Sequence, residues 1–200
     1  MMKGAREEIL NNLRKQIPME TPALPEVIQG EWIRYANPVE QFANLIAGVG
    51  GSCQTVANRA EIQARLESFP EYRDAKRIYS QVTGIPSHFN LDAVEQPQDL
   101  EDLDFVIYPG QFAIAENGAV WVTDQGLKHR VIFFITQHLV LVVEKKDLLH
   151  TMHEAYARIE FQKPGFGLFI SGPSKTADIE QSLVIGAHGC RSMQVYLVEG

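Results

Sequence analysis

Apolar residues recur along this chain with two different periods, and the alternation between those periods predicts most of its elements. Near the start, AREEILNNLRKQI places Ile9, Leu10, Leu13 and Ile17 at helical spacing, with acids early and bases late as the helix dipole prefers. Pro18, Pro22 and Pro25 then stop the helix and form a stiff connection. Residues 1–25 are therefore expected to be a helical arm with a proline-containing linker, and residues 26–200 the main domain. Asn37, Pro38 and Glu40 make a helix start, with an Asn cap, a proline at the first helical position and an acid in the first turn. Phe42, Leu45 and Ile46 supply its buried face and GVGG ends it. SCQTV then reads as a strand and RAEIQARLESF as a second amphipathic helix.

RIYSQV is a short strand candidate, and PSHFNLDAVEQPQDLED a connection or irregular helix. FVIYPGQFAIAENGAVWVTD carries the strongest β signals: an apolar run, then two alternating segments about Asn117–Gly118, a turn dipeptide that tolerates positive φ. VIFFIT and HLVLVV are predicted as further strands. EKKDLLHTMHEAYARI follows as a helix, with Leu148, Leu149, Met152, Ala155, Tyr156 and Ile159 on one face. GFGLFIS predicts a strand, TADIEQSLVI a helix and SMQVYLVEG the last strand. Strands and helices alternating in this way, with nearly continuous apolar strands, imply an α/β three-layer sandwich around a central, mostly parallel sheet, with an antiparallel excursion near residues 111–123. No internal repeat interrupts the pattern.

Composition narrows the partners. The chain has 200 residues, 45% hydrophobic and 22% charged, enough for one sizeable core. A formal net charge of −7 argues against a duplex-binding surface, which needs clustered Lys and Arg, so no nucleic-acid partner is expected. Met1 to Pro18 lacks the apolar run of a signal peptide, and VIFFI and LVLVV are split by Thr136, Gln137 and His138, short of a membrane span of about 20 residues. A cytoplasmic location is expected. Cys53 and Cys190 are two thiols, whereas an iron–sulfur cluster takes about four, so any cluster chemistry is expected to reside in a partner.

The densest polar chemistry lies in SGPSKTADIEQSLVIGAHG, residues 171–189. Gly172 and Pro173 turn the chain after a strand, and the crevice beyond the carboxyl ends of parallel strands is where ligands collect. Ser174, Lys175, Thr176 and the first N–H groups of the predicted helix suit a phosphate or carboxylate; Ser174 or Thr176 serves equally well as a plain helix cap. Asp178 and Glu180 lie roughly 200° apart on an ideal helix and do not face one atom together. His188, between Gly186 and Gly189, is a candidate acid, base or anion contact, or simply an exposed loop residue. Glu116, at the Asn117–Gly118 turn, is a candidate nucleophile or base, with a polar hairpin residue as the plain alternative. His129 and Arg130 fit an anion contact or a sheet-edge role, and His138 a hydrogen-bonded place near the core. His150 and His153 fit an exposed helix face. No His and Cys set has metal-ligand spacing, so no metal site is assigned.

AENGAVWV and GPSKTADIEQSLVIGAHG, in this order, resemble the signatures of the LUD domain of the LutC/YkgG family, the lactate utilization protein C group. The clear resemblance covers about residues 105–199. It implies a fold like that of the NagB/RpiA/CoA-transferase superfamily, and a role in oxidising L-lactate to pyruvate alongside iron–sulfur proteins. No cofactor would then be bound by this chain alone. AENG also resembles the turn that carries the catalytic glutamate of CoA transferases, which implies a catalytic role for Glu116. Lys175 stands where the family commonly has Arg, and Cys190 where it usually has Pro.

The resulting expectation is a cleft formed by Glu116, Asn117 and Gly118 with Gly172, Ser174, Lys175, Thr176, Asp178 and His188, taking a small anionic ligand. The chain would be a component of an L-lactate utilization system. The rivals are an independent CoA transferase-like or ligase-like enzyme using Glu116 as nucleophile or base, and a purely structural adaptor.

Overall fold

The computed structural model describes residues 3–16, 30–159, 165–176, 184–186 and 189–200. The chain divides into two compact units, Met1–Glu31 and Trp32–Gly200. In the first, α1 (Lys3–Gln16) carries Arg14 and Lys15 in its last turn, where the dipole favours cations. Ile17 of the predicted apolar stripe lies outside the described residues.

The second unit is built on a five-stranded, wholly parallel sheet. Its strands are β1 (Ser52–Val56), β2 (Ile78–Ser80), β3 (Phe105–Pro109), β6 (His138–Glu144) and β11 (Ser192–Val198), in the order β1-β11-β6-β3-β2. Both faces are covered, which is why these strands read as near-continuous apolar runs. The pleat sorts them: Leu139, Leu141 and Val143 enter one core, Val140 and Val142 the other. The second core packs against α3 (Arg59–Ser68) and α4 (Pro70–Asp74) through Ile62, Leu66 and Tyr72. The first packs against α2 (Pro38–Gly48), through Phe42 and Ile46, and against a second sheet.

That second sheet has β4 (Phe112–Ile114), β5 (Ala119–Thr123), β7 (Leu148–Leu149) and β8 (Gly167–Ile170) in the order β7-β4-β5-β8. α6 (Met152–Arg158) covers its outer face, Ala155 sharing a small core with Phe112, Ile114 and Trp121. The expected hairpin about Asn117–Gly118 is β4–β5. α2 and α3 begin as their caps dictate, Asn37 Oδ1 accepting from Glu40 N at 3.2 Å and Asn58 Oδ1 from Glu61 N at 3.1 Å.

Three expectations give way. VIFFIT is not a strand: Ile132–Ile135 form a one-turn helix, α5, and buried Thr136 ends it, its hydroxyl reaching the carbonyls of Asp104 and His138 at 3.2 and 3.1 Å. The helix predicted from Glu144 onward starts only at Met152, because Leu148 and Leu149 pair in parallel with Ala113 and Ile114. The last concerns TADIEQSLVI. Lys175–Thr176 (β9) pairs antiparallel with Val184–Ile185 (β10), so both ends of the segment read as helical are strand; residues 177–183 lie outside the described residues.

Candidate functional site

The two turns singled out in the sequence approach each other through α2. After β4, Gly118 adopts φ +67, donates to the Ile114 carbonyl at 3.0 Å and rests against α2, where an added Cβ would lie 3.2 Å from Leu45 Cβ. Glycine is required there by the left-handed backbone. Asn117 closes the turn by accepting from Ala119 N at 3.1 Å. Glu116 is exposed, and its Oε2 accepts from Met152 N at 2.7 Å. Its carboxylate thus satisfies an otherwise orphaned N–H at the start of α6, where negative charge is favoured. Thr151 and Glu154 complete that start as a capping box, Glu154 N donating to Thr151 Oγ1 at 3.4 Å and His150 N to Glu154 Oε2 at 2.7 Å.

The second turn follows β8. Ser171 Oγ donates to the Asn117 carbonyl at 3.1 Å, so the two turns touch directly. Gly172, at φ +80, and Pro173 are buried; a Cβ on Gly172 would lie 2.7 Å from Val49 Cγ2. Ser174 N donates to the Cys190 carbonyl at 3.0 Å, and Gly186 N to the Ser174 carbonyl at 2.9 Å. Lys175 Nζ donates to the Val49 carbonyl just past α2. That bond places a cation at the negative end of a helix and satisfies one of its last carbonyls.

A cleft of about 330 Å³ opens beside this loop. Phe133, Phe134, Leu168 and Ile170 give it an apolar wall, while Ser171, Gly172, Ser174 and Lys175 form the polar side, with Cys190 behind. The structure therefore gathers Gly172, Ser174 and Lys175 in the cleft and sets Asn117 and Gly118 next to it. The Glu116 carboxylate turns to α6 and is not part of the lining. Thr176 is described in its backbone alone, and Asp178 and His188 lie outside the described residues.

The cleft's position corrects the expectation of a carboxyl-edge crevice. β8 joins the second sheet, not the central one, and its carboxyl end meets the segments that lead into β1, β6 and β11. The cleft accordingly sits at the amino ends of the central strands. The apolar wall from α5 and the acceptor at Val49 were not read from sequence. The first was masked by taking VIFFIT as a strand, and the second carries no local signal, being a backbone carbonyl 126 residues from its partner.

The other titratable groups have structural partners. His129 is buried with Nε2 2.8 Å from the Val94 carbonyl, and Arg130 pairs with Asp124 at 3.3 Å. His138 Nδ1 lies 2.8 Å from Ser192 Oγ, and burial holds its imidazole below the ordinary range. Burial pushes the Cys53 thiol up to about 12 and raises Cys190 as well. His150 is not on the helix face predicted for it; Nδ1 precedes α6 and accepts from Tyr35 N at 3.0 Å. His153 is on α6, exposed, and stacks on Trp32 with centroids 3.5 Å apart. Among the described residues no helix is long and apolar enough to cross a membrane.

Comparison with known proteins places this geometry. The profile of the LUD domain matches residues 41–198. Lactate utilization protein C 1 of Bacillus mycoides (strain KBAB4) is 28% identical over 156 residues, covering 73% of this chain and 65% of that protein. Lactate utilization protein C of Geobacillus thermodenitrificans (strain NG80-2) is 30% identical over 129 residues, 62% of this chain and 50% of that protein. The chain thus spans about half to two-thirds of the length of these relatives. Among solved structures, a DUF162 family protein from Deinococcus radiodurans superposes with a TM-score of 0.57 at 19% identity, over 82% of this chain and 97% of that one, and shares the fold.

Proposed function

The chain belongs to the LUD domain family, and from that membership we propose that it is a component of an L-lactate utilization system. It acts with iron–sulfur partner proteins in the oxidation of lactate to pyruvate and binds a small anionic ligand in the cleft beside Ser171–Lys175. The observation that carries the reading is the match of the LUD domain to residues 41–198, together with relatives named lactate utilization protein C.

The cleft chemistry supports the anionic ligand. Ser171 and Ser174 bring hydroxyls to its polar side. An ammonium has three donors, so Lys175 keeps two after bonding to the Val49 carbonyl. The apolar wall from Phe133, Leu168 and Ile170 lowers the local dielectric and strengthens those contacts.

The test is genetic and biochemical together. Deleting the gene should abolish growth on L-lactate but not on pyruvate, and restoring it should recover growth. Gentle affinity purification from the native cell should bring down iron–sulfur proteins. Unimpaired growth on L-lactate, or repeated recovery of the protein alone, overturns the reading. An acyl adduct on Glu116 after incubation with acyl-CoA, detected by mass spectrometry, would make the chain an independent transferase instead.

A further inference from the structure

We propose that the carboxyl edge of the central sheet holds a second binding site, separate from the cleft, for a neutral polyhydroxylated ring. Two adjoining cavities of about 420 and 250 Å³ lie there, where β2, β3 and β6 end. They share Gln81, Pro109 and Gly110. The β5–β8 pairing separates them from the cleft. Thr123 of β5 lines the larger cavity and faces Gly167, whereas Ile170, which lines the cleft, faces Val120 at the other end of the pair. In open parallel α/β sheets the crevice outside the carboxyl ends is the customary place for a ligand.

Packing fixes the floor. A Cβ on Gly110 would lie 2.5 Å from Val120 Cγ1 and 2.7 Å from Val143 Cγ2, so the two sheets close together there and admit no side chain. Gly110 N donates to the Val142 carbonyl at 2.8 Å and Gln81 N to the Ile107 carbonyl at 3.0 Å, which carries the ladder just past the strand ends.

The lining selects the ligand. Its polar side chains are neutral and partly held by the protein: Gln81 Nε2 donates to the Gln125 carbonyl at 3.2 Å, Gln111 Nε2 to Thr123 Oγ1 at 3.2 Å, and Tyr108 Oη to the Thr123 carbonyl at 2.8 Å. Burial pushes the Tyr108 phenol up to about 12, so it remains a donor. Each amide that gives one N–H to the protein keeps its second N–H and its carbonyl oxygen, and the Oε1 atoms of Gln81 and Gln111 have no hydrogen-bond partner among the described residues. The charged lining residues are Arg59 and Glu144, which pair with each other at 2.7 Å. Among the described residues that line the cavities, no unpaired cation awaits a phosphate or carboxylate and no unpaired anion an ammonium. A neutral cavity that offers both amide donors and acceptors complements hydroxyls, which donate and accept at once and which a free sugar, a cyclitol or the ribose of a nucleoside all present.

The experiment is amide NMR on the full chain, read at Gly110, Gln111 and the side-chain NH₂ groups of Gln81, Gln111 and Gln125. The probes are D-glucose, myo-inositol, adenosine and, as the charged ring counterpart of glucose, D-glucuronate. Saturable shifts at these positions with a neutral probe, and weaker binding of glucuronate, are expected. Gln111→Leu, at an exposed position, should weaken binding about three- to tenfold and leave the Ser174 and Gly189 signals unmoved. A response to adenosine alone names a nucleoside as the source; a response to glucose or inositol names a free polyol. No saturable shift here with any neutral probe, shifts confined to other regions, or glucuronate binding as tightly as glucose overturns the proposal.

Discussion

Gly172→Ala should be among the most damaging single-methyl additions near the cleft, for two reasons that can be separated. The residue sits at φ +80, and an alanine held there costs about 1–2 kcal/mol from the clash of Cβ with its own backbone. The new methyl would also lie 2.7 Å from Val49 Cγ2 and 3.0 Å from the Val49 carbonyl, an overpacking of about 1–3 kcal/mol. The total, about 2–5 kcal/mol, lowers the urea midpoint by about 1–2 M. Val49 is half-buried, so Val49→Ala alone costs about 1 kcal/mol or less. Because that substitution removes Cγ2, the double variant should recover about 1–2 kcal/mol of the loss while the backbone cost persists. The assay is equilibrium urea unfolding of the four members of the cycle. Losses that simply add, or a Gly172→Ala protein as stable as the parent, would refute the packing of this loop on the end of α2.

Three further perturbations have signed outcomes. Glu116→Ala should cost about 1 kcal/mol and speed hydrogen exchange at the Met152 amide, while Glu116→Gln retains an acceptor and loses less; unchanged exchange would remove the capping role. The unfolded ring of His138 takes a proton near pH 6.5 whereas the buried ring resists until lower pH, so the unfolded state holds more protons in that window. Its contribution is present above about pH 6.5 and lost as pH falls below it, and urea midpoints at several pH values should show a shallower acid slope in His138→Phe. With partial burial holding the Cys53 thiol up to about 12, very little of it is thiolate at pH 8, so a disulfide reagent should label native protein far more slowly than an exposed thiol; labelling as fast as that of unfolded protein would contradict this environment.

Much of this architecture is legible in the chain because its strands are buried on both faces and its caps are local. HLVLVV, FVIYP and SMQVYLV could be little else, and Asn37 and Asn58 announce α2 and α3 within four residues. The errors have equally definite causes. Five consecutive apolar residues at 131–135 carry no period, so a one-turn helix and a strand look alike, and only the partners of Thr136 decide. Leu148 and Leu149 fit a helical face by spacing, yet the Thr151–Glu154 capping box marks the true start and was available to be read. In the cleft, the Gly172–Pro173 and Asn117–Gly118 turns were visible as turns. Their meeting through Ser171, and its location at the amino side of the central strands, depend on which sheet β8 joins, a choice no short segment encodes.

β1 lies at the edge of the central sheet and among the described residues pairs there with β11, Ser52 opposite Gln194 through Val56 opposite Val198. On the ribosome, β2, β3 and β6 can assemble as they emerge, but the slot between β1 and β6 stays vacant until residues 192–198 leave the exit tunnel. Until then the nascent polypeptide presents two unsatisfied strand edges, a surface on which chaperones act and on which neighbouring chains aggregate. A message truncated before Ser192 would release a product that never closes that slot, so this protein's solubility rests on a strand made after the other four of its central sheet.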